Sequence, residues 1–134
     1  MLVFGAARTN TKDPSAPPEV LAHDSADNYH GWWNNRWRVV EPEGQSKAGD
    51  WVPQKETRLN QLVRYAHGRN LWIRFYTLDG ATKTELSCNG WFLSYNFGSR
   101  EAVRKRWEAA AKAGADYIAT DQYEELGAFL KSLK

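Results

Sequence analysis

Two stretches of this chain share one grammar: an amphipathic helix, a glycine, and a short apolar strand. The first helix is predicted over residues 57–67, where Leu59, Leu62, Val63 and Ala66 fall at i, i+3, i+4 and i+7 on one face. Gly68 is predicted to close it in the left-handed conformation, and a strand over residues 71–78 follows. Ser99 is predicted to cap the second helix, which carries Val103, Trp107, Ala110 and Ala111 on one stripe. Gly114 ends it, a strand over residues 117–120 follows, and a last helix presents Tyr123, Leu126, Phe129, Leu130 and Leu133. A helix between two strands returns the chain to the same end of the sheet, so the strands run parallel. The fold class read from this pattern is α/β, a partial (β/α)8 TIM-type barrel of about four parallel strands with outer helices.

Length sharpens that reading. The chain has 134 residues, and a complete barrel takes roughly 250. Residues 1–134 are therefore read as one domain, the C-terminal half of a barrel whose N-terminal half is absent. Upstream of the two clear units the pattern is weaker. Residues 2–7 read as a buried strand, 8–18 as a loop, 19–35 as weakly helical and 36–41 as a second strand. Residues 42–55 and 79–98 read as loops, and a connection as long as the latter is usually functional. Four strands would leave open edges, which invite self-association.

Composition excludes several classes. A net charge of +2 is too mild for a nucleic-acid binder. Cys88 is the only cysteine, so no internal disulfide forms, and it reads as an incidental thiol. The apolar start at residues 1–7 is too short to cross a membrane and lacks the basic opening of a secretory signal, so no transmembrane segment is expected. No phosphate-binding loop, dinucleotide fingerprint, zinc-protease or serine-hydrolase motif is present. His23, His30 and His67 are scattered, and two or three dispersed imidazoles do not make a zinc site.

Chemistry is sought at the C-terminal strand ends, where barrels place it. In the strand over 71–78, Leu71, Ile73 and Phe75 suit a helix-facing side, which turns Trp72, Arg74 and Tyr76 to the lumen. A lumenal guanidinium needs a partner, and Glu41, Glu43, Asp79 and Asp121 are candidates. Arg74 reads either as a structural ion pair or as an anion clamp. Asp121, with Glu124 three residues on, reads more naturally as a helix cap than as a catalyst. Trp37, Trp72 and Trp107 read as core. Trp32, Trp33, Trp51 and Trp91 lie in or near predicted loops, where aromatics either pack locally or stack on a sugar, an inositol ring or a membrane interface.

The run from Leu62 through Ala66-His67-Gly68 to Arg74-Phe75-Tyr76 resembles a segment of the phospholipase C-like phosphodiesterases, the superfamily of phosphatidylinositol-specific phospholipase C and glycerophosphodiester phosphodiesterase. The ending Ala113-Gly114-Ala115-Asp116-Tyr117-Ile118-Ala119-Thr120-Asp121 is similar to that superfamily's closing strand. The resemblance covers residues 57–134 and is weak before them; Tyr76 and Ala119 depart from the residues usual there. It implies a distorted barrel that hydrolyses phosphodiesters of phospholipid or glycerophosphodiester type. Two histidines would transfer protons, and an arginine or a divalent metal such as Ca2+ would steady the phosphate. His23, His30 and His67 do not match those histidines, so the catalytic residues are unassigned. The expected share of the site is substrate binding by Arg74, Tyr76, Glu41, Trp91 and Asp121. Members of the superfamily are often secreted or membrane-associated. Two other readings remain: a non-catalytic aromatic module for a glycan or lipid headgroup, and half of a glycoside hydrolase using Glu41 with Glu43 or Asp79.

Overall fold

The computed structural model of the chain describes residues 5–7, 9, 12–22, 25–27 and 29–134. In chain order the elements are β1 (Gly5–Ala7), α1 (Pro18–Leu21), β2 (His30–Arg36), α2 (Pro53–Gly68), β3 (Trp72–Tyr76), α3 (Lys83–Asn89), α4 (Arg100–Ala113), β4 (Tyr117–Ile118) and α5 (Tyr123–Ser132). Short 3-10 turns stand at Trp37–Val39, Gln45–Lys47 and Leu93–Tyr95. The strands form one sheet in the order β1-β2-β3-β4, and every pairing is parallel. The protein is thus α/β, a four-stranded parallel sheet flanked by helices.

Strand alternation divides the sheet into two unlike faces. Trp33, Asn35, Ile73 and Phe75 are 0–1% exposed and turn to the helices. They meet the stripe of α2 (Leu59, Leu62, Val63, Ala66) and that of α4 (Val103, Trp107, Ala110) in one continuous core. The residues between them, Trp32, Asn34, Arg36, Trp72, Arg74 and Tyr76, are half-buried or exposed. Register sets them in rows across the sheet: Trp32 beside Trp72, Asn34 beside Arg74, Arg36 beside Tyr76. The expected sidedness of β3 therefore holds.

Local signals account for most helix ends. Pro53 opens α2, where its missing N–H costs nothing. The Ser99 side chain accepts from the Ala102 N–H, and Gly114 closes α4 at φ 86°. Thr82 and Glu85 form a reciprocal capping box on α3, and Gly90 closes it at φ 64°.

Several expectations are corrected. Residues 19–35 are not a helix: only Pro18–Leu21 is helical, and β2 occupies His30–Arg36. The strand expected at 36–41 is a 3-10 turn leading to Glu41. The run hid the strand because it reads Trp32-Trp33-Asn34-Asn35, like residues in adjacent pairs, with no aliphatic alternation. The long loop at 79–98 contains α3 and a 3-10 turn. Asn70 at φ 57°, not Gly68, takes the left-handed position after α2. Asp121 does not cap α5: Gln122 is the N-cap and makes no side-chain cap bond. Tyr123, which opens α5, and Leu133, just past its end, are exposed, and only Leu126 of the predicted stripe is buried. The strand at 2–7 is seen over Gly5–Ala7; its first residues and His23 lie outside the described residues.

Candidate functional site

Three parallel strands point their C-terminal ends at one cleft of about 520 Å3. Its walls are Thr9 and Lys12 after β1, Asn34 and Arg36 on β2, Arg38 and Val39 in the turn that follows, Tyr76 ending β3, and Pro14. Three of these are cations, and none of the described lining residues is a carboxylate. The Arg36 Nε donates to the Tyr76 hydroxyl at 3.2 Å. That bond, which favours the charged guanidinium, raises the Arg36 pKa further above its ordinary value.

Arg74 stands one row behind. Its Nη1 donates to Asn34 Oδ1 at 2.9 Å, and the guanidinium lies 5.4 Å from the Tyr76 ring centre and 6.0 Å from that of Trp32. The expected carboxylate partner is replaced by an amide oxygen and two aromatic faces. These hold the side chain in place but leave its positive charge uncancelled by an ion pair.

Backbone strain fixes the end of β3. Thr77 has φ 69°, a region β-branched residues avoid. Gln45 Nε2 donates to the Thr77 carbonyl at 2.6 Å and to its hydroxyl at 2.7 Å, and the Trp37 N–H also donates to that hydroxyl. Such a conformation costs about 1–3 kcal/mol and persists where surroundings over-determine it, often at working sites. Here it re-aims the chain immediately after Tyr76 and sends Leu78 into the core.

Glu41 is not on the open face. It is fully buried and receives Arg106 through two nitrogens at 3.0 and 2.8 Å, Lys55 at 2.7 Å and the Trp37 indole at 2.6 Å. Burial, the largest single effect, pushes its carboxyl up, but the bonds from Arg106, Lys55 and Trp37 outweigh it and hold it below the ordinary range. Glu41 thus sits inside a buried ion-pair network and is not among the residues that line the cleft. Glu43 pairs with the same Lys55 at 3.2 Å, so the two acids share a cation rather than facing each other across a sugar.

Asp79 and Asp121 end adjacent strands and meet. Asp79 is 2% exposed, and its Oδ1 accepts from the Thr120 hydroxyl and the Asp121 N–H, both at 2.7 Å. Burial raises the Asp79 pKa, and the neighbouring Asp121 carboxylate adds to the rise. Asp121 is exposed at the rim of this pair and does not line the cleft. Trp91 is half-buried after α3 and is not among the cleft residues either.

The other expectations sort clearly. Trp33 is fully buried with its indole N–H on Thr9, and Trp51 packs on Trp37 and Arg106. The four loop tryptophans therefore form no common platform. His30 pairs with Asp27, and His67 with Asp116, which also accepts the Ile73 N–H at the opposite end of β3. Among the described residues no three His, Cys, Asp or Glu side chains converge on one point. Asp79 and Asp121 alone fall short of the six to eight oxygens Ca2+ takes, so no step is drawn through a metal.

Lys12, Asn34, Arg36 and Arg38 were not predicted for the site. The signal for Asn34 and Arg36 was their period-two spacing, readable only once β2 is placed at His30–Arg36; Lys12, in a loop, and Arg38, in a 3-10 turn, carry no such mark. In comparisons with known proteins the chain matches no family model, no curated protein and no solved structure.

Proposed function

We propose that this chain supplies the phosphate-gripping part of a barrel-type phosphodiester hydrolase of the phospholipase C-like kind, acting on phospholipid or glycerophosphodiester esters. The observation that carries the reading is the cleft at the C-terminal strand ends, walled by Lys12, Arg36 and Arg38 with the Arg74–Asn34 pair behind it. Guanidinium forks match phosphate oxygens, and an anionic transition state is stabilised by cations set in place beforehand. A one-sided stack of helices on a parallel sheet is what an arc of a barrel wall looks like, its open face being the inner one.

Among the described residues no histidine lines the cleft, and the role proposed for this chain is positioning and charge, not proton transfer. The purified 134-residue chain is titrated calorimetrically with glycerol phosphate and, as a neutral control, glycerol. Binding of the phosphate ester alone is expected. Arg36→Ala or Arg74→Ala should each weaken it by at least about tenfold, in line with roughly 1.5–3 kcal/mol for a charge-assisted bond. Equal affinity for both ligands, or unchanged affinity in both variants, would defeat the proposal. Hydrolysis of phosphatidylinositol or of glycerophosphodiesters by the chain alone would defeat its division of labour.

A further inference from the structure

The sequence Gly90-Trp91-Phe92-Leu93-Ser94-Tyr95 leaves two large apolar side chains in water: Phe92 is 67% exposed and Leu93 63%. Their backbone is firmly held. Asn96, 1% exposed, donates from Nδ2 to the Phe92 carbonyl at 2.8 Å and accepts the Ala81 N–H at 2.7 Å. The Asp79 N–H donates to the Tyr95 carbonyl, and the Phe97 N–H to that of Asp79. The tip is thus stitched to the chain just beyond β3, at the same end of the sheet as the cationic cleft. The Tyr95 ring centre lies 5.2 Å from that of Phe92. Exposed Lys47 sits in the 3-10 turn that packs beside this one.

We infer that Phe92 and Leu93 form a prow that docks the protein on an anionic lipid surface, with the cleft cations meeting headgroup phosphates beside it. Rigidly presented apolar side chains flanked by cations suit the boundary between headgroups and acyl chains, where apolar burial and attraction to anionic lipid add. Charge complementarity selects this occupant over a second copy of the chain, which would set Lys47 and the cleft cations against their own like charges. The inference deepens the phosphoester reading by naming a membrane as the source of the phosphate, and it rests on that reading.

The chain is sedimented with vesicles of phosphatidylcholine, with and without phosphatidylserine. Binding to the phosphatidylserine vesicles is expected, weakening as salt is raised. Phe92→Ser/Leu93→Ser should reduce it by at least about tenfold, given about 1.5–3 kcal/mol for each fully buried apolar side chain. The variant should keep the wild-type circular dichroism spectrum and its affinity for glycerol phosphate, because both side chains lie outside core and cleft. Phe92→Trp should retain vesicle binding. Wild-type vesicle binding by the serine variant, or no binding by the wild type to either vesicle, overturns the docking role even where glycerol phosphate binds. An oligomer that the serine variant converts to monomer overturns it too, assigning the tip to self-association. Loss of glycerol phosphate binding in the wild type defeats the phosphate site separately.

Discussion

The two faces of this sheet are built from neighbouring residues of the same strands, yet they treat charge in opposite ways. On the helix side, Arg106 is 2% exposed and is joined bidentately to the buried Glu41 carboxylate. On the open side, Arg74 meets an amide oxygen and aromatic rings. A closed interior tolerates charge only when it is cancelled within the fold. A face open to solvent keeps an uncancelled cation at small cost, and that cation remains available to an anionic ligand. The helix-facing side carries cancelled charge, and the open side carries the cations on which the proposed phosphate site rests.

The sharpest way to break this contrast is to remove one arginine at a time. Arg106→Met leaves Glu41 buried with Lys55 as its one remaining cation, beside the Trp37 indole, and should cost about 3–5 kcal/mol in urea unfolding. Phe75→Ala should be nearly as damaging, about 3–5 kcal/mol, by opening a cavity between the sheet and its helices. Trp72→Ala, one residue from a buried position but 59% exposed, should cost under about 1 kcal/mol. If Trp72→Ala matched Phe75→Ala, the second face would be a core as well.

Asp79 sharpens the comparison where the two faces meet. Its pKa is raised in the fold, so the folded state holds a proton that the unfolded chain releases. Its contribution to stability is present below the ordinary aspartate range and is lost as pH rises through its raised value. Asp79→Asn keeps an acceptor for Thr120 and for the Asp121 N–H. It should match the wild type at low pH and exceed it at neutral pH in thermal melts. A variant less stable at neutral pH would show that the carboxylate is held charged.

The smallest expected effect is that of Arg74→Met, within about 0.5 kcal/mol of wild-type stability while phosphate-ester affinity falls. A large loss of stability would move Arg74 to the structural class. The open face and the strand edges also predict reversible self-association by light scattering. A concentration-independent monomer would mean that β1 and β4 are too short to template pairing.

Legibility in the sequence followed the strength of the periodic signal. The α2 stripe was read residue by residue because Leu59, Leu62, Val63 and Ala66 are aliphatic and regularly spaced, and all four are buried. The sidedness of β3 was equally plain. β2 escaped because its helix-facing residues are Trp33 and Asn35, one aromatic and one polar, so no aliphatic alternation marks it. With β2 misplaced, Arg36 was read as a strand start rather than as the end that aims a guanidinium at the cleft. The carboxylates failed for a different reason. Glu41 and Asp79 carry no local mark of burial, and the partners that decide their roles, the bidentate Arg106 for the one and Thr120 and Asp121 for the other, lie 41 or more residues away.

By itself the sequence determined the alternation of helices with parallel strands, the caps at Ser99 and Gly114, and the placing of Arg74 and Tyr76 opposite Ile73 and Phe75. Those are consequences of spacing, which operates within a few residues. Tertiary structure alone decided that Glu41 serves Arg106, that Asp79 meets Asp121, and that Lys12, Arg36 and Arg38 share one cleft with Tyr76. A charge acquires its role from its dielectric surroundings and its partners, and both are set only when distant segments pack together.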